Sequence, residues 1–209
     1  TDLSLGAKGL ELFIVDKAFE GFSVSGKLDK MSVRSSDTAA LSFDDMFVPD
    51  NHMLSSETGN GFRNAYRSLT VDRVFTAALA VGNARAAYDA AKQYSREREQ
   101  FGQPIGDFQT IEFRLVDMLA NIETAAMHTY RAAQLADQGK DITVEAAMAK
   151  MVASEKGREV CHDAVTIYGG WGLMNEYPVQ RYLRDSYFPM VGGGTPEIMR
   201  KVIARKTAK

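Results

Sequence analysis

Side chains able to do chemistry are sparse in this sequence and fall in a few places. The three histidines, His52, His128 and His162, are scattered, with no His-x-x-x-His spacing and no cysteine pair nearby, so no metal site is expected. No Gly-x-Ser-x-Gly elbow or Cys–His pairing marks a covalent nucleophile. Gly169-Gly-Trp-Gly172 follows a helical stretch rather than a strand, which removes a dinucleotide fingerprint and leaves a helix-ending turn. Residue types and spacing alone mark no further site. Asp72 reads as a solvated or Arg-paired helix carboxylate, and Arg98 as a surface member of the charged run Arg96-Glu-Arg-Glu99. Thr195 and Glu197 read locally as a helix start.

The elements that must hold these residues are written in two periods. Leu10–Val15 is a short apolar run, Gly21–Ser25 alternates, and Ala39–Phe43 with Met46–Val48 reads as a third strand before Pro49. From Gly61 onward the period is helical, with Pro49, Asn51 and Gly59-Asn60-Gly61 marking the boundary. The first helix spans about Phe62 to Arg96, with Gly82 as a close-packing or bending point. The second spans about Phe108 to Gln138, where Phe108, Ile111, Leu115, Met118 and Ile122 form a bundle seam before Gly139. Asp141 or Thr143 caps the third, which reaches about Tyr168; its block Glu145–Ser154 is rich in small residues and lets a neighbour approach closely. A short helix over Pro178–Arg184 follows, and Thr195-Pro196 starts the last one. The expected fold is mainly α: a four-helix-type up-and-down bundle preceded by a partial antiparallel β segment. The expected domains are residues 1–54 and 55–209.

Composition narrows the classes further. The 209 residues carry 25 Lys+Arg against 27 Asp+Glu, a formal charge of −2, which argues against nucleic acid as a partner. With 45% hydrophobic residues the chain is ordinary for a globular protein. No run of about 18 apolar residues suggests a membrane span. A lone cysteine, Cys161, suits a reducing compartment. The chain opens in mid-pattern without Met, and a piece of a longer protein is expected.

Local motifs go beyond periodicity. Arg98-Glu-Gln-Phe-Gly-Gln-Pro-Ile105 followed by Phe108-Gln109 closely resembles a signature of the acyl-CoA dehydrogenase family. Further elements occur in the family's order: Arg34-Ser-Ser-Asp-Thr38, Phe43-Asp-Asp-Met-Phe-Val-Pro49, Ala146-Ala-Met-Ala-Lys150, Ile167-Tyr-Gly-Gly-Trp-Gly172, Tyr177-Pro178, Arg184-Asp185 and Gly194-Thr-Pro-Glu-Ile-Met-Arg200. The resemblance covers essentially the whole chain. It implies the second half of a middle β domain (1–54) and a C-terminal helical domain (55–209), in a protein nearly twice as long.

The resemblance implies α,β-dehydrogenation of an acyl-CoA thioester with FAD as cofactor. A carboxylate takes the α proton and the β hydride passes to FAD. Electrons would leave to an electron-transferring flavoprotein. The commonest family pattern has Glu directly before the Gly-Thr of the last helix, whereas this chain has Gly193 there. A smaller branch places the base on the first helix of the C-terminal domain, one residue before an Arg, and the matching residue is Asp72, followed by Arg73. That branch uses Glu, and Asp is one methylene shorter. Gly193 would leave room for the carboxylate while its N–H serves the thioester oxygen, and Arg73 would assist the base or the CoA portion. Arg98, Gln100, Gln109, Thr166, Gly169, Gly170, Thr195 and Glu197 are the implied FAD contacts, with Thr166 standing where the family often has Gln. Arg98, Gln100 and Gln109 would reach the FAD of a neighbouring subunit, which implies a homo-oligomer, a dimer or tetramer. The implied location is the bacterial cytoplasm, or the mitochondrial matrix in a eukaryote. Two alternatives stay open: an acyl-CoA oxidase or related flavin monooxygenase on the same fold, and a non-catalytic helical assembly module.

Overall fold

The computed structural model describes residues 3–54 and 59–208. The expected boundary between 54 and 55 falls against residues 55–58, which lie outside the described residues. The chain divides into two compact units, one of Thr1–Lys30 with Arg34–Leu69 and one of Met31–Val33 with Thr70–Lys209.

In the first unit, β1 (Phe22–Val24) pairs antiparallel with β2 (Leu41–Phe43), Phe22 opposite Phe43. Leu10–Val15, expected as a strand, makes a single bridge, Phe13 to Met53, flanked by bonds from Ile14 N–H to His52 O and from Leu54 N–H to Leu12 O. Its partner segment enters a 3₁₀ turn at Asp50–His52, so the ladder cannot extend. The expected third strand is likewise confined to β2, since Asp45 takes φ +48, a conformation incompatible with a continuing strand.

The helices carry the rest. α1 (Gly61–Glu97) is followed by a minimal hairpin, β3 (Glu99–Gln100) and β4 (Gln103–Pro104). Its two-residue loop, Phe101-Gly102, has φ +56 and +83, the double left-handed turn that matches strand twist. α2 (Gln109–Asp137) and α3 (Thr143–Tyr168) follow, then α4 (Val179–Asp185), α5 (Phe188–Val191) and α6 (Pro196–Thr207). The bundle seam forms from Ile111 onward: Met118 and Ile122 are buried, with Ile111 and Leu115 packed against them, while Phe108, expected to begin it, precedes α2 as its N-cap and meets Phe101 instead.

Small residues set the helix spacing. Ala77, Ala80, Ala84, Ala87 and Ala91 line the buried face of α1 and meet Ala149, Ala153 and Ala164 of α3. Gly157 marks the tightest approach, where a Cβ would lie 3.1 Å from the Ala80 carbonyl oxygen. Gly82, expected as a close-packing or bending point, meets no neighbour, because it sits on the exposed side of α1. Asp141 rather than Thr143 tethers the start of α3, accepting from the Thr143 N–H at 2.9 Å and its hydroxyl at 2.5 Å. Within the second unit, Val33, at φ +48, donates its N–H to Asp185 Oδ1 at 2.7 Å, and Arg184 Nη1 donates to the Met31 carbonyl at 2.9 Å.

Candidate functional site

The residues singled out in the second unit gather in two places. The first is a cavity of about 500 Å³ where the β3–β4 hairpin and the end of α3 meet. Arg98, Gln100, Gly169 and Gly170 line it together with Tyr94, Tyr168 and Trp171. The geometry follows from local sequence. Arg98 follows directly on the end of α1, its N–H still bonding the Tyr94 carbonyl at 2.9 Å, and the tight hairpin turns Gln100 back beside it. Gly169, at φ +59, stops α3 and leads into a 3₁₀ turn over Gly169–Leu173. A Cβ at Gly169 or Gly170 would meet nothing, so a ligand can come close to the backbone there, although the Gly169 N–H itself bonds the Thr166 carbonyl. The wall is aromatic: Tyr94 and Tyr168 stack at 4.0 Å between centroids, and the Tyr168 hydroxyl donates to the Ala90 carbonyl at 3.2 Å. Burial, followed by the neighbouring Tyr94 and Glu97, pushes the Tyr168 phenol above its ordinary pKa. A guanidinium, a side-chain amide, a glycine backbone that admits close approach and flat rings make a lining that fits a group with a pyrophosphate and an aromatic ring system. Tyr94 was missed in the sequence, although it lies one turn before Arg98 and so shares its face.

Gln109 and Thr166 do not line this cavity. Gln109 is the exposed first residue of α2, and the Thr166 hydroxyl turns back to the His162 carbonyl at 3.1 Å.

The second place is a turn before α6. Gly193 and Gly194 both adopt the left-handed region, φ +68 and +105, which other residues enter only with strain. A Cβ at Gly194 would lie 2.9 Å from Met199 Cε, so a side chain there would have to displace that methyl. A Cβ at Gly193 would point at α1, 3.3 Å from Asp72 Oδ2 and 3.6 Å from the Thr76 hydroxyl oxygen. Asp72 is exposed, whereas Arg73 is only 4% exposed and donates its Nε–H to the Gly193 carbonyl at 3.4 Å. Lys150 of α3 is wholly buried and its ammonium donates to the Gly194 carbonyl. Burial first, then the Arg73 charge, pulls the Lys150 amine down to about 8 against the opposing pull of Glu197 and Glu155.

Thr195 stands at the N-cap of α6 with Pro196 next, as its sequence signals, but its side chain makes no capping bond to the helix backbone. Glu197 is fully exposed, and its carboxyl is held below the ordinary range by its own backbone N–H and the Thr195 hydroxyl. Lys150 and Thr76 were missed as site residues. The signal for Lys150 was its place in the stripe Ala146, Lys150, Ala153, Gly157, which puts a charge on the buried face of a helix.

Among the described residues no three His, Cys, Asp or Glu side chains group as a metal site, and no helix is long and apolar enough to cross a membrane.

Comparison with known proteins places this geometry among relatives. The family model described as "Acyl-CoA dehydrogenase, C-terminal domain" matches residues 59–208. Benzylmalonyl-CoA dehydrogenase of Aromatoleum aromaticum is 44% identical over 201 residues, covering 96% of this chain and 53% of that protein. The structure of butyryl-CoA dehydrogenase from Megasphaera elsdenii superposes with a TM-score of 0.97 at 41% identity, over 100% of this chain and 54% of that one. A chain in a structure of the electron transferring flavoprotein of Acidaminococcus fermentans matches with a TM-score of 0.96 at 42% identity, over 99% of this chain and 54% of that one. The chain thus spans about half the length of the relatives it matches.

Proposed function

The chain belongs to the acyl-CoA dehydrogenase family, and from that premise we propose that it is part of an FAD-dependent enzyme that dehydrogenates an acyl-CoA thioester across its α,β bond. The observation that carries the reading is the Asp72 carboxylate facing Gly193, so close that a Cβ on the glycine would stand 3.3 Å from Oδ2. Asp72 is the base that takes the α proton. An α C–H beside a thioester is a weak acid, so charge developing on the thioester oxygen needs a donor aimed at it in advance. The Gly193 N–H, carried on its left-handed turn, serves that oxygen. Arg73, buried beside the turn, keeps positive charge next to the carboxylate and the thioester. Asp is a methylene shorter than the Glu of the matching family branch. A displacement of about 1 Å can cost on the order of 10² in rate, so the acyl group must sit correspondingly closer to α1.

FAD, when bound, supplies the hydride acceptor. Arg98 and Gln100 would hold its pyrophosphate, with Gly169 and Gly170 letting it approach the backbone and the Tyr94–Tyr168 wall taking a flat ring. Gln109, Thr166, Thr195 and Glu197 are further proposed contacts. Residues 1–54 are read as the second half of a middle β domain and 55–209 as the C-terminal helical domain. The working form is a homo-oligomer, a reading supported by a second apolar stripe on α2, Phe113, Val116, Met127 and Tyr130, all exposed. Its electron acceptor is an electron-transferring flavoprotein, and its compartment the bacterial cytoplasm or the mitochondrial matrix. The oxidase and non-catalytic alternatives are not favoured, since relatives sharing over 40% of this sequence are dehydrogenases.

The experiment is anaerobic addition of butyryl-CoA to the FAD-loaded full-length protein, followed by air. Bleaching of the flavin and slow reoxidation are expected. Reoxidation within a turnover would make it an oxidase, and no bleaching by any acyl-CoA would end the enzymatic reading.

A further inference from the structure

Lys150 is an ammonium with no exposure, in the middle of α3, on a face otherwise made of Ala146, Ala153 and Gly157. A charge there must be held by something, because removing it from water unpaired is costly. What holds it is the carbonyl of Gly194. One residue earlier, the carbonyl of Gly193 takes the Nε–H of Arg73 at 3.4 Å. Two buried cations, one from α1 and one from α3, therefore grip consecutive carbonyls of a turn that has little stiffness of its own. Both residues of that turn are glycines in the left-handed region. Glycine has the broadest backbone freedom and no side chain to pack.

We infer that Lys150 is a positioning residue for the reaction: by holding the Gly194 carbonyl it fixes the two-glycine turn and thereby the direction of the Gly193 N–H beside Asp72. The inference rests on the reading of Asp72 as base and the Gly193 N–H as thioester donor. Arg73 pins the peptide plane that follows the Gly193 N–H, and Lys150 pins the next one. With both fixed, the N–H is one pair of dihedrals from a clamped point. Without Lys150 the second clamp is gone, and the turn can rotate about Gly194. The consequence falls on the proton-abstraction step, which depends on aim, and not on substrate affinity, since Lys150 is wholly buried. A misplaced donor costs on the order of 10² in rate.

The test isolates α-proton removal. FAD-loaded full-length protein is reduced with dithionite so that hydride cannot leave the substrate. Exchange of the α protons of butyryl-CoA is then followed in D₂O for the wild type, Lys150→Met and Asp72→Asn. The expected result is exchange near background for Asp72→Asn. For Lys150→Met, saturated exchange per bound FAD should slow by roughly 30-fold, with the half-saturating butyryl-CoA concentration within about threefold of wild type. Asp72→Asn inactive beside Lys150→Met at the wild-type rate would overturn the role of Lys150 alone. Loss of substrate affinity matching the loss of rate would also overturn it. Wild-type exchange by Asp72→Asn would instead remove the reading of the site. If Lys150→Met holds no FAD, Lys150→Gln is read by the same criteria. Failure of both to fold would assign Lys150 to the core and overturn the inference.

Discussion

The carboxylate of Asp72 faces the bare Cα of Gly193, so that a Cβ built on the glycine would stand 3.3 Å from Oδ2. The two residues come from the long first helix and from the turn before the last one. Their meeting depends on a left-handed backbone at φ +68. Gly193→Ala tests both requirements together. The left-handed conformation costs about 1–2 kcal/mol for a residue with a Cβ, and the new methyl displaces the carboxylate. Anaerobic flavin reduction should slow on the order of 10²-fold, while calorimetry should show a loss of only a few degrees.

Arg98 is expected to matter for cofactor retention rather than for chemistry. Charge-assisted hydrogen bonds contribute about 1.5–3 kcal/mol, so Arg98→Ala should weaken FAD binding to the apoprotein by roughly 10- to 100-fold. Arg98→Lys should recover only part of that, since an ammonium cannot bond as a planar fork. Fluorescence titration of apoprotein with FAD reads both.

Lys150 gives a pH dependence with a definite sign. Its amine lies near 8 in the folded protein against an ordinary 10.5. Between those values the unfolded chain holds the proton more tightly, so this group's contribution to stability rises with pH through that window. The urea midpoint of the wild type minus that of Lys150→Met should therefore shift in favour of the wild type from pH 8 to pH 10. It should stay level below pH 7.

Two glycines should respond in opposite directions to the same change. Gly82 faces open space on the exposed side of α1, and Gly82→Ala should stabilise by about 0.5–1 kcal/mol through helix propensity. Gly157 lies against the Ala80 carbonyl, where a Cβ would come within 3.1 Å of the oxygen. Overpacking of about 1–3 kcal/mol exceeds the propensity gain there, so Gly157→Ala should destabilise. Chemical denaturation of the pair distinguishes them.

Helical periodicity made most of the second unit legible. Ile111, Leu115, Met118 and Ile122 recur on one face, and that face is the one that packs. The small-residue block of α3 likewise announced close helix contact, but only the fold could say that Gly157 and not Gly82 provides it, because both occupy helix interiors in the sequence. Strands were harder to read. Leu10–Val15 has the composition of a strand, yet pairing is a long-range property and its partner turns away after one bridge. The Glu99–Pro104 hairpin hid inside a motif read only for its resemblance, and its turn places Phe101 at φ +56, where a bulky residue is rare. At the site, Asp72 and Gly193 were legible as a pair only through the family pattern. Lys150 was legible only as a charge in a small-residue stripe; that its side chain ends on the Gly194 carbonyl is a long-range contact that α3 alone does not specify.

Replacing Asp72 by Asn removes the proposed base while keeping its size and hydrogen-bonding oxygen. The measurement is stopped-flow bleaching of the flavin when the FAD-loaded full-length variant meets butyryl-CoA without oxygen. Loss of general-base catalysis predicts a fall of roughly 10²- to 10⁴-fold with FAD content unchanged, and partial or full activity for Asp72→Glu. Bleaching by Asp72→Asn within a few-fold of wild type would contradict the assignment of the reaction to this carboxylate.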